Sequence, residues 1–290
     1  MELCLHYKKK RVLIMNENIE EIILFMKKNA AMSIRIEDVA AHFGYSKSHF
    51  SREFKKATGL SPNEYLASLK IEQSIDTLTQ GHSVIESQLD AGHQSPGTFT
   101  TTFTKNTGLS PRVYAKGMSD LFELSKKHEH IDKDSDSLYY RNPAFEIKKS
   151  PYFLTVYIDA PEDFKGLIFS GLFLKPNPNH LPVMGRCRVK NYRYEFYDLP
   201  DGTYYPLVCG IRKSLNVFNY FLLDNSMRAY DGQKITFPLT KDEVLHITLR
   251  EKGPTDPPIL INLPNILANG IKQQMKRNQK KIAQTIKKAK

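Results

Sequence analysis

The 290-residue sequence predicts a multidomain protein: an all-α domain of two helix-turn-helix units in tandem, an all-β sandwich-like domain, and a basic C-terminal helix. Three observations predict it. One phrase of helix stop and restart occurs twice within the first 120 residues, 49 positions apart. After about residue 144 the hydrophobic period changes from helical to alternating. Finally, residues 269–290 carry eight Lys/Arg and no acid.

The phrase reads FKKATGLSPNEY at 54–65 and FTKNTGLSPRVY at 103–114. Extended back to Phe50 and Phe99, each copy has two Phe one helical turn apart, so both rings face the same buried side. Thr-Gly then ends the helix, with Gly supplying the left-handed cap. Ser61-Pro62 and Ser110-Pro111 open the next helix as N-cap and first residue. Upstream, IEDVAAHFGYSKSHF (36–50) reads as a short helix with Val39, Ala40 and Phe43 inward, a turn at Gly44, and a second helix capped by Ser46. IESQLDAGHQSPGTF (85–99) repeats this with Gly92 and Ser95-Pro96. Between the copies, Tyr65, Leu69, Ile71, Ile75 and Leu78 give a joining helix of about 17 residues, or ~25 Å. The repeated Leu60, Leu109, Tyr65 and Tyr114 read as core packing rather than a ligand box.

Composition sets the outer bounds. The chain is 40% hydrophobic and 25% charged, enough for two ordinary cores. Its longest apolar runs, such as IILF at 22–25, fall short of the ~20 residues a membrane span needs. The stretch MELCLHYKKKRVLIM lacks the order and cleavage site of a secretory signal. Cys4, Cys187 and Cys209 are few, odd in number and far apart, which predicts a reducing, cytoplasmic setting. No metal spacing or catalytic constellation is present, so no enzyme activity and no cofactor are expected. The run HEHIDKDSD at 128–136 reads as a solvated linker. Net charge is +11, with 15 Lys/Arg against 12 Asp/Glu in residues 1–117. Such a chain has nucleic acid as its default partner and anionic membrane second.

AAHFGYSKSHFSREFKKATGLSPNEYL and SPGTFTTTFTKNTGLSPRVY together resemble the DNA-binding domain of the AraC/XylS family of bacterial transcription regulators. The resemblance covers about residues 17–117. It implies two helix-turn-helix motifs, at about 36–56 and 85–105, bound as monomer or dimer in successive major grooves of double-stranded promoter DNA. Transcriptional activation is the family expectation, with RNA polymerase as a further partner.

With Phe50 and Phe54 inward, Ser48, Ser51, Arg52 and Lys55 project outward near the start of the first reading helix. The family positions matching Ser48, Ser51 and Arg52 contact bases, and a guanidinium is the side chain best suited to guanine. Lys47, His49, Lys55 and Lys56 are expected at phosphates. In the second copy, Thr98, Thr100 and Thr101 are the base-reading candidates beside Gly97, and Lys105 the phosphate candidate. That copy departs from the family: His93 replaces an aromatic Phe in the turn, Gln88 an Ala at the helix crossing, and Thr101 an Arg. Most base readout is therefore expected from the first copy.

The expected domains are 1–117, a linker at 118–143, a β-domain at 144–265 and a basic tail at 266–290. Runs such as PYFLTVYID, KGLIFSGLFL, RYEFYDLPDGTYYPLVCGI and VLHITLRE, separated by Asp-Gly and Pro turns, predict an antiparallel sandwich or barrel. YDLPDGTYYPLVCGI is also similar to the Gly-Thr-Tyr edge of transthyretin-like and carboxypeptidase-regulatory-like sandwiches, which bears on fold alone. Cys187 and Cys209 read as small buried residues, and His180 and His246 as ordinary surface or cleft residues. Tyr192, Tyr194, Tyr197, Tyr204 and Tyr205 can line a protein interface, including a homodimer, or a small-molecule effector cleft; the interface is preferred. For the tail, a phosphate-gripping arm is preferred over an interfacial membrane helix or a helix docked on the sandwich. Two rival functions remain open: an adaptor on DNA or membrane with weak sequence preference, and a ligand-binding β-domain tethered to DNA.

Overall fold

The computed structural model describes residues 18–32, 34–130, 138–190, 192–229 and 232–288. They form two compact units. One runs to Ala115 and takes in Gly253–Leu260; the other comprises Lys116–Lys252 and the chain from Ile261.

The first unit is helical. Its elements are α1 (18–29), α2 (Ile36–His42), α3 (Lys47–Thr58), α4 (Pro62–Thr79), α5 (Val84–Asp90), α6 (Pro96–Thr107) and the start of α7 (Pro111–Glu129). The repeated phrase builds the same corner twice. Thr58 and Thr107 are buried, and each hydroxyl donates to the carbonyl four residues back, Phe54 O and Phe103 O, both at 2.9 Å. The same oxygens accept from the amides of Leu60 (3.3 Å) and Leu109 (3.2 Å), tying the helix end to the next helix. Gly59 and Gly108 hold φ of 77° and 83°, the left-handed cap that lets the chain turn. Phe54 meets Tyr65, and Phe103 meets Tyr114, edge to face at 5.4 Å in both copies. Beneath the first copy, Ile19, Ile22 and Met26 of α1, Val39 and Ala40 of α2, and Phe50 and Phe54 of α3 share one core.

The two turns differ. At Gly44 a Cβ would meet nothing within 4 Å, whereas at Gly92 it would lie 2.1 Å from the carbonyl oxygen of Ala31. Gly92 is thus needed for its φ of 69° and for the close approach of the chain after α1. Lys70 of α4 donates to the Gly92 carbonyl (3.3 Å), which fixes the second turn against the joining helix.

The second unit carries two sheets. In one, β1 (Tyr139–Arg141), β4 (Met184–Arg188), β3 (Gly166–Phe173), β6 (Gly202–Arg212) and β7 (Met227–Ala229) lie in that order, with β8 (Ile235–Phe237) also on β6. The other runs β5 (Arg193–Phe196), β2 (Leu154–Asp159), β9 (Glu243–Thr248). One core draws on both: Val156, Tyr194, Phe196 and Leu245 from the smaller sheet, Ile168, Leu172, Met184 and Val208 from the larger. Every residue of β3 is buried, so the larger sheet is covered on both faces. Cys187 and Cys209 are buried in β4 and β6.

The strands depart from the antiparallel expectation at one place: β2 and β9 pair in parallel, Leu154 against Glu243 through Asp159 against Thr248. Alternating burial is the same for either strand direction, so the period carried no information about it.

Two further expectations need correction. The segment 118–143 is a linker only in part, because α7 continues to Glu129 and β1 occupies Tyr139–Arg141; residues 131–137 lie outside the described residues. The start of the HEHIDKDSD run is not solvated either, since His128 and Glu129 are buried. Glu129 accepts hydrogen bonds from Tyr220 and from Lys126, and Lys126 also donates to the Ser214 carbonyl. A buried carboxylate is stable there because it is paired.

The basic tail is the outer part of a longer helix, α8 (Leu263–Lys288). Its first turns bury Leu263, Ile266, Leu267 and Ala268. Gln273 then closes the open edge of β1: its Oε1 accepts from Arg141 N (2.9 Å) and its Nε2 donates to Arg141 O (2.8 Å). A side-chain amide replaces the missing neighbouring strand, which blunts an edge that could pair with another chain. The docked-helix reading therefore describes the first half of the tail, while Lys276, Lys280 and Lys281 are exposed. Among the described residues no helix is long and apolar enough to cross a membrane.

Candidate nucleic-acid interface

Helix α3 buries Phe50 and Phe54 and turns Lys47, Ser48, Arg52, Lys55 and Lys56 to solvent, with Ser51 and His49 half-buried. Ser48, Arg52 and Lys55 project outward as expected, while Ser51 is partly covered. His49 lies parallel to the Tyr45 ring, centroids 5.6 Å apart, so much of its surface is spent on packing. Lys47 pairs with Glu37 of α2, and that hydrogen bond is the main reason the Glu37 carboxyl sits below its ordinary range.

The residue missed in the sequence is Glu53. Its side chain is only 5% exposed, yet it accepts from Arg52 Nε at 3.1 Å and from Lys56 Nζ at 3.0 Å. Burial opposes its ionisation, but the hydrogen bonds from Lys56 and Arg52 outweigh burial and hold the carboxyl below its usual range. Glu53 stands three residues after Phe50, on the inward stripe with Phe54. An acid on an apolar stripe was the signal that could have found it. Because Arg52 is gripped through Nε, its two terminal nitrogens make no hydrogen bond among the described residues. Those are the atoms that donate as a fork to O6 and N7 of guanine.

Helix α6 offers a different surface. Thr98, Thr100, Thr101 and Lys105 are exposed, and Phe99 and Phe103 are buried. The place of Glu53 is taken by Thr102, whose carbonyl accepts from Asn106 at 2.8 Å. Ser95 caps the helix, its oxygen accepting from the amide of Thr98. The two departures in the turn are accommodated. Gln88 is buried and its Nε2 donates to His93 O at 3.0 Å. His93 packs 5.0 Å from Phe99, and burial, helped by the nearby Lys70 ammonium, pushes its pKa down to about 4. It is a neutral ring at pH 7 and serves the packing role of an aromatic side chain.

A family model described as a helix-turn-helix domain matches residues 39–117. The chain is 29% identical over 130 residues to the HTH-type transcriptional activator AarP of Providencia stuartii, covering 43% of this chain and 96% of that protein. It is 30% identical over 112 residues to an uncharacterized HTH-type transcriptional regulator in the cgkA 5' region of Pseudoalteromonas carrageenovora, covering 39% of this chain and 67% of that one. It is 31% identical over 102 residues to the lactose operon transcription activator of Staphylococcus xylosus, but spans 37% of its length and 35% of this chain. The region matched by the family model holds both copies of the repeated corner, and with these relatives it shows that the chain belongs to the AraC/XylS family of DNA-binding transcription regulators.

Proposed function

We propose that this protein is a sequence-specific transcription activator that reads promoter DNA through two helix-turn-helix motifs in tandem, α2–α3 and α5–α6. Arg52 leads the reading, with Ser48 and Ser51 beside it on α3 and Thr98, Thr100 and Thr101 on α6. Lys47, His49, Lys55, Lys56 and Lys105 contact phosphates, which set affinity and salt dependence rather than sequence choice. The observation that carries the reading is the grip of buried Glu53 on Arg52, which holds a guanidinium in one posture on an exposed helix face. A group that only solvated the surface would gain nothing from a buried carboxylate whose desolvation must be offset. The hydroxyl-lined surface of α6 supports a secondary, positioning role for the second motif. Activation is favoured by the printed names of AarP and the lactose operon relative.

In this reading the second unit is a β-sandwich, supported by the core shared between its two sheets. It serves regulation, through a small-molecule effector, a second copy of the chain or RNA polymerase, in the cytoplasm. The test is recovery of sheared genomic DNA of the source bacterium on the purified protein at near-physiological salt. Enrichment of fragments upstream of genes, sharing one motif, is the expected result. Uniform recovery of all fragments, abolished by salt, would replace this reading with a non-specific DNA adaptor.

A further inference from the structure

Helix α8 of the second unit divides into a docked half and a free half. Gln273 and Arg277, one turn apart, face β1: Gln273 bonds both backbone groups of Arg141, and Arg277 donates to the Tyr139 carbonyl at 3.2 Å. Past Arg277 that support ends. Every residue from Asn278 to Thr285 is exposed, so about two turns of helix stand in water on all sides. Helices in proteins draw most of their stability from packing an apolar face, and this stretch packs none.

Its charges oppose the helix further. Residues 263–290 contain no acid. Lys272, Lys276 and Lys280 recur every fourth residue, which puts them on one stripe, and Arg277 and Lys281 repeat that spacing beside it. Like charges four apart on a helix repel and weaken it. Lys272, Lys276, Lys280 and Lys281 are exposed, and among the described residues their ammonium groups make no hydrogen bond or ion pair. The ladder of positive charge has no counterweight within the helix, and a polyanion laid along it would supply one.

We propose that the Lys272, Lys276 and Lys280 stripe of α8 grips the phosphate backbone of duplex DNA, a contact separate from the two helix-turn-helix motifs and indifferent to sequence. The composition of the helix favours DNA over an anionic membrane. Residues 272–288 contain no aromatic residue and no leucine, and Met275 and Ile282, seven residues apart, are each 60% exposed. An interfacial helix needs a broader apolar face, with such residues sunk into the acyl boundary. Ammonium groups at one-turn intervals instead suit the regular row of charges on a nucleic-acid strand. The proposal rests on DNA as the partner of this chain and adds a contact that the reading motifs do not make. The two fail separately, because motif selection tests α3 and α6, whereas α8 is tested on duplex of random sequence.

The test is binding of the full chain to a random-sequence duplex across a salt series. Wild type is compared with the α8 variant carrying Lys272→Gln, Lys276→Gln and Lys280→Gln. The control loses the same charge at exposed lysines elsewhere in the second unit, by Lys149→Gln, Lys165→Gln and Lys241→Gln. Glutamine forms helix about as well as lysine, so the α8 variant keeps its fold. Each phosphate contact contributes about 0.9 to the slope of log K against log salt, so the α8 variant should lose about 2 to 3 and the control nothing. Hydrogen exchange locates the contact: amides of residues 276–285 should slow when duplex is added to wild type, and not when it is added to the α8 variant. An equal fall in slope for both variants, an unchanged slope for the α8 variant, or exchange at 276–285 indifferent to duplex would each overturn the assignment. So would phosphatidylserine vesicles that retain wild type but not the α8 variant while the DNA slope stays the same, which would assign the stripe to a membrane surface.

Discussion

Glu53 lies beneath the exposed face of α3 and holds Arg52 through Nε at 3.1 Å, with Lys56 as its second partner at 3.0 Å. The relationship links a core position to the proposed reading position one residue away, and the second copy has Thr102 in place of the acid. Substituting Glu53→Gln keeps shape and removes charge. Base discrimination at the position read by Arg52 is expected to fall by about 1–3 kcal/mol, while overall affinity for random duplex changes little. Competition binding with single-base operator variants measures this. The Glu53 carboxyl is held below its ordinary range, so its contribution to stability is full above the unfolded pKa and is lost as pH falls through the folded one. Wild type and Glu53→Gln should differ in melting temperature at pH 7, and the difference should shrink as pH falls below the ordinary glutamate range and vanish only below the lowered folded pKa.

Lys55 is exposed and, among the described residues, its ammonium makes no hydrogen bond or ion pair, although its backbone carbonyl accepts from Gly59. Lys55→Ala is expected to weaken binding to all sequences alike. It should also reduce the slope of log K against log salt by about 0.9, the release of one counterion. A change in sequence preference without a change in slope would reassign Lys55 to base reading.

His93 is half-buried, and burial and the nearby Lys70 ammonium push its pKa down to about 4. A depressed folded pKa means that the stability it supports is present above the unfolded value near 6.5 and drains away as pH falls toward 4. His93→Phe keeps the ring against Phe99 and abolishes the titration. The variant should match wild type at pH 7.5 and melt higher at pH 5, by thermal denaturation at the two pH values. An equal loss of stability in both proteins would assign the acid sensitivity to other groups.

Gly44 and Gly92 occupy equivalent turns with φ of 73° and 69°. Alanine at Gly44 meets open space and costs about 1–2 kcal/mol of left-handed strain. Alanine at Gly92 adds a collision 2.1 Å from the Ala31 carbonyl oxygen, so Gly92→Ala should cost clearly more and perturb the second motif. Urea denaturation of the two variants compares them directly.

The helical unit was legible because each repeated residue does a local job: Thr58 and Thr107 tie a helix end, Gly59 and Gly108 reverse the chain, and Ser61 and Ser95 cap. Such chemistry acts within a few residues, where sequence spacing is also spatial spacing. Glu53 escaped because it was not singled out, although its place three residues from Phe50 put it on the inward stripe. In the second unit alternation located the strands, but the parallel pairing of Leu154 with Glu243 joins residues 89 positions apart and leaves no periodic trace. The role of Gln273 was hidden for the same reason, since nothing near it in sequence announces the edge of β1 that it closes.

The most direct test of the account is selection from a pool of random-sequence duplexes by wild type, Arg52→Ala and Thr101→Ala, with sequencing of the retained fraction. The account predicts one enriched motif for wild type, loss of preference at a single position for Arg52→Ala, and a nearly unchanged motif for Thr101→Ala. Identical motifs from wild type and Arg52→Ala, or no motif from any of the three, would contradict it.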